Sequence, residues 1–318
     1  MQSQVRPFPQ QISVLILAAL ACCFAGNHIA ARIAFDDGAG LLLAILCRSG
    51  ATMMVLLLIV LVRGEPVRLG RSASGWQLLA GILIAVQSFC IYSAVARIPV
   101  GLALLLVNLS PVLLALLTWA FGGSAPTRRA AALMGLIFCG LLVVLDTPAL
   151  LRASSTPDKR WIEGVLFSLT AAAVFACALW IASNRLGAVA GSVRSLLTMA
   201  VVFISASLAG LFGAMPGGLG LPAASHGWWA MACLVVLYGA AFSALFICMP
   251  RLGMARNAPV MNMEPVAGLS LGWLLLDQRL GLMQVGGAAL VLTGIVLLAY
   301  SPALPLNHRA RTAVGGSG

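Results

Sequence analysis

Four unlike residues recur along this chain at one fixed spacing. Arg97, Asn108, Pro111 and Trp119 return as Arg251, Asn262, Pro265 and Trp273, each 154 positions later, and Gly140 returns as Gly294. A second register, of 146, lays Arg48-Ser49, Thr52-Met53 and Val55 over Arg194-Ser195, Thr198-Met199 and Val201. A weaker one, of 151, joins Phe24-Ala25 to Phe175-Ala176. A small apolar alphabet aligns Leu with Leu by chance. It rarely aligns Arg, Asn, Pro and Trp together, so the chain reads as a duplication.

What has been duplicated follows from composition. Of 318 residues, 61% are hydrophobic and 8% charged, where a soluble protein carries about 25% charged. The mean hydropathy is +1.05. Too few charges remain to coat a water-facing surface, which excludes a soluble globular enzyme, a disordered chain and a disulfide scaffold. A membrane helix needs about 20 mostly apolar residues. Ten such runs are legible: 12–34, 39–62, 75–95, 100–121, 130–147, 162–184, 193–213, 228–250, 257–276 and 282–300. The longest connection, 148–161, has 14 residues, too few for a soluble domain. Runs such as Leu102–Val107 lack the polar alternation of barrel strands, and helices satisfy their own backbone in lipid.

Five spans fall in each half. An odd repeat enters and leaves on opposite sides, so the second copy is upside-down relative to the first. The expected fold is an all-α polytopic membrane protein: ten transmembrane helices in two inverted five-helix repeats, 12–147 and 162–300. Residues 303–318 read as a polar tail, an appended scar outside the fold. Leu20-Ala21-Cys22 is lipobox-like, but the apolar run continues past it and is taken as a span. Inverted repeats of this kind build many secondary transporters around a midplane site.

The net charge is +11 with no basic run. That suits a membrane surface and not nucleic acid. With the N-terminus inside, the inner loops and termini hold eleven arginines and the outer loops six basic residues. This bias expects both termini in the cytoplasm. The eight cysteines sit in apolar runs without ligand spacing, so neither metal nor cofactor is expected.

Several polar residues lie inside spans, where an ionisable group defaults to a functional hypothesis. Glu264 is the acidic residue deepest in a span; it reads as a lock between helices or as a proton or ammonium site. Asn27 and His28 line a cavity or bond across helices. Pro111 and Pro265 kink their helices and free the carbonyls of Val107 and Met261, with Asn108 and Asn262 one turn earlier. They are read as hinges beside the substrate path. Arg48 and Arg194 read first as side chains snorkelling to the headgroups, second as carboxylate ligands. Trp76, Trp161, Trp228, Trp229 and Tyr300 suit an interfacial belt, and Trp119 and Trp273 suit packing. Three stripes could face a central cavity: Gly81-Ala85-Ser88-Tyr92; Ala173, Ala176-Cys177, Trp180 and Asn184; and Tyr238 with Gly239-Ser243-Phe246. Small stripes equally let helices approach closely.

Ala94-Val95-Ala96-Arg97-Ile98-Pro99-Val100-Gly101, Pro111, Met263-Glu264-Pro265-Val266, Gly272-Trp273-Leu274-Leu275-Leu276 and the Gly287 to Gly294 spacing sit within the 5+5 duplication. With these features the chain resembles the drug/metabolite transporter superfamily in its ten-helix EamA-type branch. The likeness covers roughly 12–300. Where the family usually has Glu after each such Trp, this chain has Gly123-Ser124 and Asp277-Gln278. For a usual Trp-Gly-x-Asn in the first helix it has Phe24-Ala25-Gly26-Asn27. The overall texture is most similar to the YddG-type aromatic amino acid exporters. The resemblance implies an inner-membrane exporter of small organic metabolites, above all amino acids with hydrophobic or aromatic side chains, working by alternating access. The runner-up is a multidrug or other metabolite exporter. The expected partners are a small-molecule substrate and the lipid bilayer, the chain being a monomer or weak homo-oligomer. Nucleotide-binding and hydrolase motifs are missing, so no enzyme activity is expected.

Overall fold

A computed structural model of the chain describes residues 8–67, 69–123, 125–145, 158–213, 218–248, 251–252, 258–279 and 281–299. The side chains of Phe246, Ile247, Ala258, Pro259 and Ala299 also fall outside the description, as do Tyr300 and the tail at 303–318. All regular structure among the described residues is helical. The helices are α1 (Gln10–Asp36), α2 (Leu41–Arg63), α3 (Arg71–Val95), α4 (Val100–Val107), α5 (Ser110–Ala120) and α6 (Arg128–Val144) in the first half. The second half has α7 (Lys159–Asn184), α8 (Gly191–Leu211), α9 (Ser225–Cys248), a 3-10 turn (Ala258–Asn262), α10 (Met263–Leu276) and α11 (Leu282–Ala299).

Seven described helices are long and apolar enough to cross a membrane, with Val100–Ala120 taken as one. The runs at 130–147, 257–276 and 282–300 carry shorter described helices. The fourth and ninth spans, read from sequence as kinked, are broken outright. α4 ends at Val107 with Asn108 as its C-cap, and Pro111 sits in the first turn of α5. There its missing N–H costs nothing, because first-turn donors have no partner within the helix. In the second half the 3-10 turn ends at Asn262 and Pro265 falls in the first turn of α10. Matched Asn and Pro residues thus produce matched breaks.

The packing exchanges in step when the halves are swapped. α1 lies against α9 and α10; its repeat partner α7 lies against α3 and the broken span α4–α5. α3 meets α8, and α9 meets α2. The self-matched pairs are α2 with α8, α4 with α10, and α6 with α11. This is the signature of a two-fold pseudo-axis between the halves, and five spans per half put that axis in the membrane plane.

Glycines set the closest approaches. A Cβ on Gly140 would stand 2.9 Å from the Val291 backbone nitrogen, and one on Gly287 2.6 Å from that of Val144. α6 and α11 therefore meet backbone to backbone, as small residues allow in lipid. Trp228 and Trp229 are exposed at the start of α9, as a belt requires. Trp119 and Trp273 depart from expectation. They turn outward, 53% and 64% exposed, and do not pack the halves together. Their duplication reflects a shared position at the outer ends of α5 and α10, where an indole suits the membrane edge.

At the face opposite the N-terminus, polar contacts stitch the halves together. Arg97 meets Glu163 at 3.0 Å, and Arg160 donates to the Ala96 carbonyl at 2.8 Å. The Asp37 carboxylate accepts from the Ala224 N–H at 2.9 Å and lies 3.4 Å from His226. The side-chain oxygen of Gln278 accepts from the Val100 N–H at 3.0 Å.

Candidate central cavity

A cavity of about 460 Å³ opens between the halves, within the size range of small-molecule sites. Its walls obey the repeat. Phe24 and Phe175 both line it, as do Arg48 and Arg194, Ile91 and Leu245, Val107 and Met261, and Asn108 and Asn262. Ile84 faces it from one half where Tyr238 does from the other; so do Ser110 opposite Glu264, and Leu179 opposite His28. A void lined by repeat partners straddles the pseudo-axis. Further lining from Ala182, Thr198 and Phe242 extends it toward the N-terminal face.

Of the residues singled out in the sequence, His28, Asn108, Tyr238, Asn262, Glu264 and Pro111 line this cavity. Asn27, Ser88 and Tyr92 stand behind its wall. Tyr92 is fully buried, and its hydroxyl donates to Asn27 Oδ1 at 3.0 Å. Ser243 is buried away from the lining, and Pro265 is buried in α10. Trp180 and Asn184 correct the expectation: they lie outside the cavity. Trp180 packs on Phe121 at 4.7 Å, and Asn184 is exposed and donates back to the Trp180 carbonyl at 2.9 Å.

Of the two roles open to the small stripes, close helix approach is the one the structure gives the stripe on α3. Gly81 faces α8, where a Cβ would stand 2.6 Å from Val201, so the small face of α3 is a helix contact. The cavity face is the neighbouring row Ala80, Ile84, Gln87 and Ile91. On α7 it is Phe175, Ala178, Leu179 and Ala182, and on α9 it is Tyr238, Phe242 and Leu245. Small residues bring helices together; the larger apolar ones remain to wall the space left between.

Arg48 corrects the snorkelling reading. It is 3% exposed and points inward. Its Nη2 donates to Ser88 Oγ at 2.7 Å. Its guanidinium lies 4.7 Å from the Tyr92 ring centre and 4.1 Å from that of Tyr238. A cation between two aromatic faces is held by their quadrupoles, by more when water is excluded. Arg194 also lines the cavity but has no such clamp among the described residues; its Nη1 donates to the Ala182 carbonyl at 3.2 Å. Gln87, Ser195 and Thr198 complete a polar set that sequence reasoning missed. Only the shared register of the arginines pointed toward it.

Across the repeat boundary, His28 Nε2 of α1 stands 3.8 Å from Glu264 Oε1 of α10. Rings surround the pair. Tyr238 stacks on Phe242 at 5.4 Å and meets Phe24 edge-on at 5.8 Å, and His28 meets Tyr92 edge-on at 5.8 Å.

Two stretches, 11–146 and 162–300, each match the EamA-like transporter family. The chain belongs to that family. No curated protein matches it significantly. A solved crystal structure of a protein is similar over 92% of this chain and 98% of its own, at 20% identity and a TM-score of 0.61. At that identity the likeness speaks for the fold alone. As an EamA-like protein the chain is a multi-pass membrane transporter of small molecules in the drug/metabolite transporter superfamily. Membership matches the ten-span reading, and its members are transporters and not enzymes.

The two helix breaks open onto this EamA-like cavity. Val107 and Met261, whose carbonyls the prolines leave without an α-helical donor, both line it. Pro111→Ala should therefore keep the fold and slow saturated transport by about tenfold, the equivalent of about 1.4 kcal/mol on the conformational step. Flux at saturating substrate, set beside the melting temperature, checks this.

Proposed function

We infer that this chain is a secondary exporter of small amphipathic metabolites, foremost amino acids with hydrophobic or aromatic side chains, working by alternating access. One observation supports this above the rest. A cavity between the halves combines aromatic walls from Phe24, Phe175, Tyr238 and Phe242 with an ionisable pair, His28 and Glu264. Rings accept a flat apolar side chain, and a buried carboxylate suits an ammonium group. The likeness in texture to YddG-type exporters points the same way. The two halves, 12–147 and 162–300, rock about the cavity while α5 and α10 flex at Pro111 and Pro265. The substrate shifts the balance between states only through unequal binding to them. Asn27, Ser88, Tyr92 and Ser243 support this wall from behind.

The surplus of arginines in the inner loops favours an inner membrane with both termini in the cytoplasm. The cavity would then extend toward the cytoplasm, where an exported solute loads. The chain acts as a monomer or weak homo-oligomer. A multidrug reading has less support, because two inward guanidiniums repel the lipophilic cations that such carriers commonly take.

Purified protein in liposomes tests the reading. Counterflow of labelled phenylalanine should saturate and be competed by tryptophan and leucine more than by glutamate. Flux no greater than in protein-free liposomes, for all of these, would discard the amino acid assignment.

A further inference from the structure

The charges on the cavity wall do not cancel. Among the described lining residues, Arg48 and Arg194 face it with one carboxylate, that of Glu264, and with His28. A guanidinium remains charged throughout the biological pH range. An uncompensated charge in a low-dielectric interior is costly, so it calls for an anion. Of the two arginines, Arg48 has the built surroundings. It is 3% exposed, held at one nitrogen by Ser88 and between the rings of Tyr92 and Tyr238. Its Nε is buried with no hydrogen-bond partner, and so is Nδ1 of His28 on the same wall. Native interiors rarely leave such polar atoms unpaired. The fork of an arginine matches a carboxylate with two parallel donors.

We propose that Arg48 is the carboxylate anchor of the cavity, so that substrates are selected for a free carboxyl group. The assignment rests on the transport reading above and deepens it. Tyr92 and Tyr238 hold the guanidinium plane, Ser88 sets its rotation, and a ligand carboxylate reaches the unpaired Nε when the side chains that now cover it part. The rings of Tyr238 and Phe242 then lie beside the substrate's apolar body. Arg194, nearer the N-terminal face and without a ring clamp among the described residues, meets the carboxylate first and passes it inward.

Two readouts test this separately from the amino acid assignment. The first is the unfolding temperature of the detergent-solubilised protein with 3-phenylpropanoate or with the matched alcohol 3-phenylpropanol. The acid should stabilise the wild type and the alcohol should not. The acid effect should vanish in Arg48→Gln and return in part in Arg48→Lys. The second readout is competition of phenylalanine flux by phenylalaninamide, expected to be about tenfold weaker or worse than competition by phenylalanine itself. If acid and alcohol act alike on the wild type, the anchor is wrong even where phenylalanine flux is robust. That comparison needs no variant to fold. If the acid effect stands while phenylalanine is not carried, the amino acid reading falls and the anchor survives. An acid effect undiminished in folded Arg48→Gln also overturns it.

Discussion

Gly101→Val should cost the protein its fold and not merely its rate. α4 and α10 cross where Gly101 faces Leu269 and Gly268 faces Leu104. A Cβ on Gly101 would stand 2.7 Å from the Leu269 Cα, and one on Gly268 2.6 Å from Leu104 Cδ1. The first obstacle is backbone, which cannot rotate away. Overpacking a core typically costs about 1–3 kcal/mol. Here the cost should exceed that range, because the collision separates the two broken spans on which the cavity depends. Gly135→Ala is the control, since a Cβ there meets nothing within 4 Å. Size-exclusion profiles and melting curves of the two variants should diverge sharply. A monodisperse Gly101→Val protein with wild-type melting would show that the crossing is looser than described.

Glu264→Ala should abolish most transport while leaving a folded protein. It removes the carboxylate that faces His28 across the repeat boundary and leaves two guanidiniums with no wall anion. If the carboxylate holds a substrate ammonium, losing one member of that desolvated charge pair costs about 2–5 kcal/mol, equivalent to roughly 30-fold or more in affinity. Glu264→Gln keeps the shape and loses the charge, so it separates the roles. If the carboxylate binds substrate ammonium or carries a proton, Gln loses flux nearly as Ala does. If the side chain only bridges helices, Gln retains it. Full flux in Gln with an unchanged pH profile would remove both the ammonium and the proton role.

Much of this architecture was legible before any coordinates. The spans were visible because lipid tolerates few charges, and the duplication because Arg, Asn, Pro and Trp are scarce in such a background. The breaks followed from proline chemistry at Pro111 and Pro265. What spacing alone does not decide is rotation about a helix axis. The row from Gly81 to Tyr92 and the row from Ala80 to Ile91 differ by one position, and both keep helical spacing. Choosing between them requires knowing that α8 presses Val201 against Gly81. Arg48 failed for a related reason. Its place about two turns inside a span leaves headgroups within reach of a long side chain, whereas Tyr92 and Tyr238, which hold it inside, come from distant parts of the chain. Trp180 looks like a cavity aromatic because it stands inside a span, but it packs on Phe121 and beside Ile181 and Leu186 instead.

The cavity wall is only approximately self-symmetric: Tyr238 stands opposite Ile84, Glu264 opposite Ser110, and His28 opposite Leu179. A carrier with identical halves would present the same site to each compartment and load equally well from either. Unequal partners remove that equivalence. Turning the cavity from one side to the other exchanges which half supplies the deep end, so the half-saturation concentrations measured from the two compartments should differ. At zero gradient the two directional efficiencies must still balance, so tighter loading on one side is matched by slower turnover from it. The direction of transport in the cell would then depend on the prevailing concentrations and any coupled gradient, with these few mismatched positions setting the range in which the carrier responds to them.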